Sequence, residues 1–223
     1  MKNPVLIALF CVGIVLIFAF YMISKKLYEE RHKETYSFWR MFPYEFNYPS
    51  VFKENIWGNL LFIFACLTIV ALYIVNPYGD LYRILGIVIS IVFTMISICI
   101  LLMPMNYLRT HLTLSVISMT LSLALPLINI LLGYTDYLFY DNITSRVLSI
   151  IAMVVSGLLA LVMLVLIFNP KLTFKIYLDK EVDADGNEVF KRPKIIFLAF
   201  NEWMSIFIFF LTPLAIVLVN IVD

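Results

Sequence analysis

Six long apolar runs, separated by shorter polar segments, dominate the pattern of positions along the chain. Each run approaches or exceeds the roughly 20 residues that a helix needs to cross about 30 Å of hydrocarbon. The runs lack the strict alternation of a barrel strand, so backbone hydrogen bonding in lipid favours helices. The predicted membrane spans are residues 5–23, 56–76, 82–103, 112–133, 147–168 and 195–222.

Two long segments, 24–55 and 169–194, connect spans on one side of the predicted bundle. The first opens with a charged stretch, Lys25 to Lys33, that we expect to extend the first helix. Its aromatic part, Phe38 to Pro49, contains two prolines and cannot be one continuous helix. We expect this part to lie along the inner leaflet. A partner-binding epitope is the alternative for the same segment.

The second long segment carries Asp185-Gly186 between two stretches that suit β-strands. Asp-Gly is typical of a tight hairpin turn, so a small cytoplasmic β-hairpin is predicted between helices 5 and 6. The predicted fold is therefore an all-α integral membrane protein, a single polytopic domain over residues 1–223. It consists of a six-transmembrane-helix bundle with this one hairpin.

Composition supports a membrane protein, because 63% of the residues are hydrophobic and only 14% are charged. A soluble domain has nearer a quarter of its residues charged. Of sixteen Lys and Arg residues, only Lys2, Arg83 and Arg146 lie on the side of the termini, and the rest lie on the other side. The positive-inside rule then places both termini outside a cell membrane and both long segments in the cytoplasm. Predicted interfacial anchors on the cytoplasmic side are Trp39, Trp57 and Trp203.

Several classes of chemistry find little support in the residues. The three cysteines lie singly in apolar runs and there are only two histidines, so we expect neither disulfide nor metal site. Phosphate-binding glycine loops and nucleophile elbows are absent, and no cofactor is expected. The net charge of +1 gives no reason to expect nucleic acid. The expected partners are the lipid bilayer and, as a further candidate, another membrane protein.

Glu202 is the one acidic residue inside the six predicted spans. A carboxylate within a membrane helix usually marks a transport pathway, a proton site or an ion pair. If the last span instead begins at Trp203, Glu202 is a headgroup-level residue. The sequence leaves both interpretations open.

The fourth span carries polar residues at spacings of 4, 3, 4 and 7, which place them on one helical face. Such a stripe lines a water-filled groove in some proteins, and in others it allows close helix packing. At its start, either Arg109 or His111 could form an ion pair with Glu202 across the bundle. The stripe consists of His111, Ser115, Ser118, Ser122 and Asn129.

Three functional classes remain from these residues. The first is a non-catalytic scaffold, accessory subunit or regulator that acts through helix packing and its two cytoplasmic segments. The second is a small transporter or channel with a polar path along the fourth helix and Glu202. The third is an intramembrane enzyme, for which His111 and Glu202 alone supply too few converging groups.

Overall fold

A computed structural model describes residues 4–47, 53–76, 80–103, 107–139, 142–172, 179–182 and 188–220. Six helical stretches in this part of the chain are long and apolar enough to cross a membrane, which confirms the predicted set of membrane helices. The helices are α1 (Pro4–His32), α2 (Ile56–Val75), α3 (Asp80–Leu102), α4 (Leu108–Phe139), α5 (Ile143–Ile167), α6 (Phe197–Leu211) and α7 (Leu214–Val219).

Several helices continue beyond the apolar runs that predicted them. The first helix ends at His32, as expected from its charged stretch, and Lys25 and Lys26 each approach a glutamate four residues later at 3.8 Å. Helix α4 is longer than residues 112–133 at both ends. An apolar run marks only the part of a helix suited to hydrocarbon, whereas helical hydrogen bonding continues through polar residues.

The sixth span is interrupted, whereas the sequence predicted one continuous span over 195–222. Pro213 separates α6 from α7, because proline has no N–H and its ring crowds the carbonyl four residues earlier. The hydroxyl of Thr212 donates to the carbonyl of Ile208 at 2.6 Å. The carbonyl of Thr212 accepts from the Asn129 amide of α4 at 2.9 Å. The break is thus stabilised from a neighbouring helix.

Helix α6 lies at the centre of the bundle. Of the most apolar 18 residues of the α6–α7 span, 72% are buried, whereas the corresponding stretches of α1 and α5 are each 22% buried. Successive helices from α1 to α5 pack side by side, α6 packs on α4 and α5, and α7 packs on α1, α4 and α5. Polar side chains of α6 therefore meet protein rather than lipid. The end of the bundle where α1 finishes and α4 and α6 begin is called the basic end below.

The aromatic segment after α1 folds into the basic end instead of lying along a leaflet, which corrects the sequence-based expectation. A short 3-10 helix spans Pro43–Asn47, and the side chains of Tyr36, Met41 and Phe46 are buried. The buried area of these side chains favours docking in the bundle over exposure at the interface. This segment, residues 36–47, is called the cap below.

Trp203 is part of the core, so its predicted role as an exposed interfacial anchor is wrong. Its ring is 0% exposed, and its indole N–H lies 3.1 Å from the hydroxyl of Tyr36 and 3.0 Å from the carbonyl of Met41. The buried N–H finds its partners in the cap, as a buried tryptophan usually requires. Trp39 and Trp57 are 44% and 72% exposed, and their anchoring role stays a prediction.

A short antiparallel pair of strands, β1 (Asp179–Val182) and β2 (Glu188–Lys191), lies between α5 and α6. Val182 is opposite Glu188 in the pairing register. The predicted Asp185-Gly186 turn belongs to residues 183–187, which lie outside the described residues. The hairpin as a whole therefore stays a prediction.

Candidate functional site

Helices α4 and α6 bring His111 and Glu202 into direct contact inside the bundle. The imidazole Nε2 lies 3.0 Å from Glu202 Oε1, and the two side chains are 0% and 1% exposed. Both residues lie in the first two turns of their helices at the basic end. The carboxyl group of Glu202 therefore faces protein, and its depth in a membrane, in the hydrocarbon or at headgroup level, stays a prediction.

The hydrogen bonds of the pair indicate how many protons it holds and on which atoms they lie. His111 Nδ1 lies 2.9 Å from the carbonyl oxygen of Met103. A carbonyl can only accept, so Nδ1 carries a hydrogen, and one further proton lies between Nε2 and Glu202 Oε1. The pair is then either imidazolium with carboxylate or imidazole with carboxylic acid. Both forms are neutral overall, which suits a site of low polarity.

The glutamate carboxyl group is only partly hydrogen-bonded. The Ser115 hydroxyl lies 2.6 Å from Glu202 Oε1 and 2.9 Å from the carbonyl of His111. It has one proton and can donate to only one of these acceptors at a time. Glu202 Oε2 is buried and has no hydrogen-bond partner among the residues that the structure describes. Buried polar atoms are nearly always bonded, so such an atom in a native site calls for an explanation.

The remaining stripe residues also face the interior of the bundle. Ser118, Ser122 and Asn129 are at most 2% exposed, and the Ser122 hydroxyl donates to the carbonyl of Met119 at 2.9 Å. Tyr73 of α2 donates to the Asn129 side-chain oxygen at 3.4 Å. The stripe is therefore enclosed by α2, α6 and α7 rather than exposed to lipid.

A small cavity of about 10 Å³ lies beside Asn129, and its mostly apolar lining also contains Asp136 and Asn220. This volume is about the minimum that accommodates one water molecule. Asp136 lies seven residues after Asn129, so it continues the same face of α4. Sequence analysis missed it because the predicted span stopped at residue 133, although the regular spacing of the stripe could have revealed it.

Arg109 does not join the site. Its side chain is exposed whereas Glu202 is buried, and among the described residues the glutamate is paired with His111 instead. The choice that the sequence left open between Arg109 and His111 is thereby settled in favour of the histidine. An exposed arginine also retains its hydration, which a buried partner would remove.

The cap covers the histidine from the basic end. The rings of Phe42 and Tyr44 stand edge-on to the imidazole, with centroids 5.9 and 5.3 Å from it. Tyr44 is thus the titratable cap residue that faces His111. Phe42 packs in the same buried cluster as Leu198 of α6. Together these contacts separate the pair from the solvent at the basic end.

An ion pair fixes the cap to the segment before α6. Arg192 Nη1 lies 2.7 and 2.9 Å from the two carboxylate oxygens of Glu45. Oε1 also accepts the backbone N–H of Phe42 at 2.8 Å. Burial opposes the charge of Arg192, but the adjacent Glu45 outweighs this effect and raises the pKa of the guanidinium. Burial likewise raises the pKa of Tyr36 well above its usual value, so its phenol stays protonated.

A second polar cluster at the same end contains neutral groups only. The amides of Asn47 and Asn59 bond to each other at 3.0 and 3.1 Å. Asn47 also donates to the carbonyl of Leu101 at 3.0 Å and accepts from Asn55 at 3.3 Å. Ser24 donates to Asn55 at 3.0 Å. Sequence reasoning missed this cluster, although Asn55 and Asn59 are four residues apart at the start of a predicted span.

Comparison with known proteins gives no relative for this chain. No family model matches it, and neither a curated protein nor a solved structure matches it. Within the described residues, no three His, Cys, Asp or Glu side chains are grouped so that they could hold a metal ion.

Proposed function

We propose that the chain is a small proton-translocating membrane protein in which His111 and Glu202 form the proton-binding site. The observation that carries the proposal is the buried contact between His111 and Glu202, with a carboxyl oxygen that lacks a hydrogen-bond partner within the described part of the chain. Ionisable groups inside a membrane bundle commonly serve as proton relays. A pair kept only for packing would gain from saturating both oxygens.

The shared proton gives the site its chemistry. Releasing it leaves a buried carboxylate beside a neutral imidazole, and binding a second proton leaves a net positive charge. Either change in a site of low polarity disfavours the closed arrangement, because buried net charge is costly. Proton exchange is then coupled to opening of the site toward water, which is what alternating access requires.

The polar stripe supplies a direction for the proton. From Glu202 the buried hydroxyls of Ser115, Ser118 and Ser122 lead along α4 toward Asn129 and the small cavity. Hydroxyl groups both donate and accept, so they can relay a proton once water enters between them. We propose that the basic end faces the cytoplasm of a cell membrane, with both termini outside, because of its excess of Lys and Arg.

Proton flux into liposomes tests this function directly. The purified chain, reconstituted in vesicles with an internal pH-sensitive dye and a potassium-imposed potential, should acidify them faster than empty vesicles. Glu202→Gln removes the titratable group while keeping its size, and flux should fall to the background rate. Glu54→Gln is the matched control, because Glu54 is a largely exposed partner of Arg31 at 2.9 Å. Wild-type flux no faster than that of empty vesicles would overturn the proposal.

A scaffold or accessory subunit is the second candidate, favoured by an open apolar groove of about 350 Å³ between α1 and α6. Its walls include Phe18 and Phe207, and Phe18 is 64% exposed. Exposed apolar grooves of this kind are typical of helix-binding surfaces. A partner that co-purifies in mild detergent should be lost with Phe18→Ser and retained with Val15→Ser. Val15 is equally exposed on α1 but lies outside the groove.

A further inference from the structure

We propose that the cap, residues 36–47, is a gate over the His111–Glu202 site and that the Glu45–Arg192 ion pair is its latch. The inference rests on the proposed function, because a gate has a purpose only if the site exchanges protons. The inference adds to that function a device that controls access from the basic end.

The position of the cap makes it the barrier between the site and water. Phe42 and Tyr44 lie against the imidazole. The indole N–H of Trp203 lies within hydrogen-bond distance of two cap acceptors, the carbonyl of Met41 and the hydroxyl of Tyr36. Trp203 directly follows Glu202 in α6. The cap therefore contacts His111 and the residue that follows Glu202. Any opening of the cap alters the environment of the shared proton.

The cap is held in place by contacts of different kinds. Asn47 is fixed in the neutral asparagine cluster, where its amide makes bonds to Asn59 and Leu101. Two residues before Asn47, Glu45 pairs with Arg192. The rest of the cap is held by the bonds of the Trp203 indole to Tyr36 and Met41, and by one backbone bond from the N–H of Ile196 to the carbonyl of Trp39 at 2.9 Å. The saturated cluster suits a hinge, and the ion pair suits a contact that is made and broken.

The exposure of the ion pair supports a latch. The Glu45 side chain is 9% exposed but that of Arg192 is 37% exposed, so the pair lies at the protein surface on the arginine side. When the cap lifts, both charged groups become hydrated, and no unpaired charge stays buried in the protein. A fully buried ion pair would resist such opening, because breaking it leaves an unpaired charge buried in the protein.

Quenching of Trp203 fluorescence reports on the gate without any transport. Trp39→Phe with Trp57→Phe leaves Trp203 as the only tryptophan, and acrylamide reaches its ring only when the cap lifts. In this parent protein, Glu45→Gln keeps the acceptor for the Phe42 N–H but removes the charge. We expect a several-fold rise in the quenching constant. Arg192→Gln should act in the same direction.

The matched control is Glu34→Gln, which breaks the pair between Arg40 of the cap and Glu34 at 3.0 Å. Glu34 lies just before the cap in the chain, so this pair does not tie the cap to the segment before α6, and quenching should stay unchanged. Exchanging the charges with Glu45→Arg and Arg192→Glu should return quenching toward the parent value. Helix content by circular dichroism identifies any variant that unfolds. Parent-level quenching in both latch variants, or an equal rise in Glu34→Gln, would overturn the gate.

Proton flux separates this inference from the function on which it rests. Glu45→Gln should accelerate flux, and adding Glu202→Gln should abolish flux while quenching remains high. Raised quenching with no flux in the wild type would retain the moving cap but reject proton translocation. Flux that depends on Glu202 but not on Glu45, with unchanged quenching, would retain the transporter and reject the gate.

Discussion

Two buried polar clusters lie at the basic end of the bundle, and they differ in charge and in saturation. In the asparagine cluster every side-chain amide of Asn47, Asn55 and Asn59 has a partner. In the His111–Glu202 site the groups are titratable, and none of the described residues bonds to one of the two carboxyl oxygens. The same segment of chain, the cap, touches both clusters.

The comparison shows what polar groups look like when they serve packing alone. Neutral amides donate hydrogen bonds to one another and accept them in return. They do not titrate, so they keep the same charge at any physiological pH. A histidine and a glutamate could have been replaced at the second position by a pair of amides with similar shape. The histidine and the glutamate can bind and release a proton, which the amides of the asparagine cluster cannot do, and this supports a role in proton exchange.

Breaking the asparagine cluster should have the largest effect on stability. Asn47→Ala leaves the Asn59 amide, the Asn55 N–H groups and the Leu101 carbonyl without their partner. We expect a loss of about 2–3 kcal/mol in the free energy of unfolding, since each stranded buried group costs on the order of 1 kcal/mol or more. Chemical unfolding in detergent measures this loss.

The control for this variant is Asn169→Ala, whose side chain accepts only the N–H of Lys171 at an exposed turn. It should cost less than about 1 kcal/mol. If Asn47→Ala costs no more than Asn169→Ala, the cluster is not a structural element, and the contrast between the two polar clusters fails.

The membrane helices were predictable because their signal is local. An uncharged run of about 20 residues dictates a helix by itself, since lipid satisfies no backbone group. The break at Pro213 was not predicted, and proline alone does not fix such a break, because Pro126 lies inside α4 without ending that helix. The stripe on α4 could also be recognised, since its spacing of three, four and seven is a property of one helix.

The assembly of the site was only partly predictable, because it depends on distant contacts. His111 and Glu202 are 91 positions apart, and a shared membrane side left Arg109 and His111 as equal candidates. Glu45 and Arg192 are 147 positions apart, and no local pattern connects them. The aromatic cap suited either a leaflet or a protein interior by composition alone, and its docking against Trp203 is a tertiary contact.

A smaller effect on stability should follow from crowding the asparagine cluster. A Cβ added at Gly58 would overlap the side chains of Asn55 and Ser24, so Gly58→Ala should push them apart. We expect a loss of about 1–2 kcal/mol in the free energy of unfolding, as is usual for overpacking. Thermal or chemical unfolding in detergent gives the value.

Gly157→Ala in α5 is the matched control, because nothing lies within 4 Å of the Cβ it would add. Alanine has the higher helix propensity, so this variant should be neutral or more stable by up to about 1 kcal/mol. Equal effects of the two substitutions would mean that the close packing around Gly58 contributes nothing.

The smallest stability change should come from Ser115→Ala, which instead tests the function of the titratable site. The hydroxyl donates to Glu202 Oε1 or to the His111 carbonyl, so its loss should cost about 1 kcal/mol or less, as for hydrogen bonds within membrane bundles. Proton flux should nevertheless fall several-fold, because the carboxyl group loses its hydroxyl relay. Ser90→Ala in α3 is the matched control, because Ser90 lies outside the proposed path.

Ser90 is as fully buried as Ser115, but its hydroxyl donates to the carbonyl of Ile87 in its own helix at 2.9 Å. In a scaffold both serines would contribute to packing alone, and the two variants would behave alike in stability and in flux. In a proton-translocating protein the two variants have similar stability, and only Ser115→Ala slows flux to any large extent. Equal flux in the two variants would therefore return the His111–Glu202 site to the same structural role as the asparagine cluster.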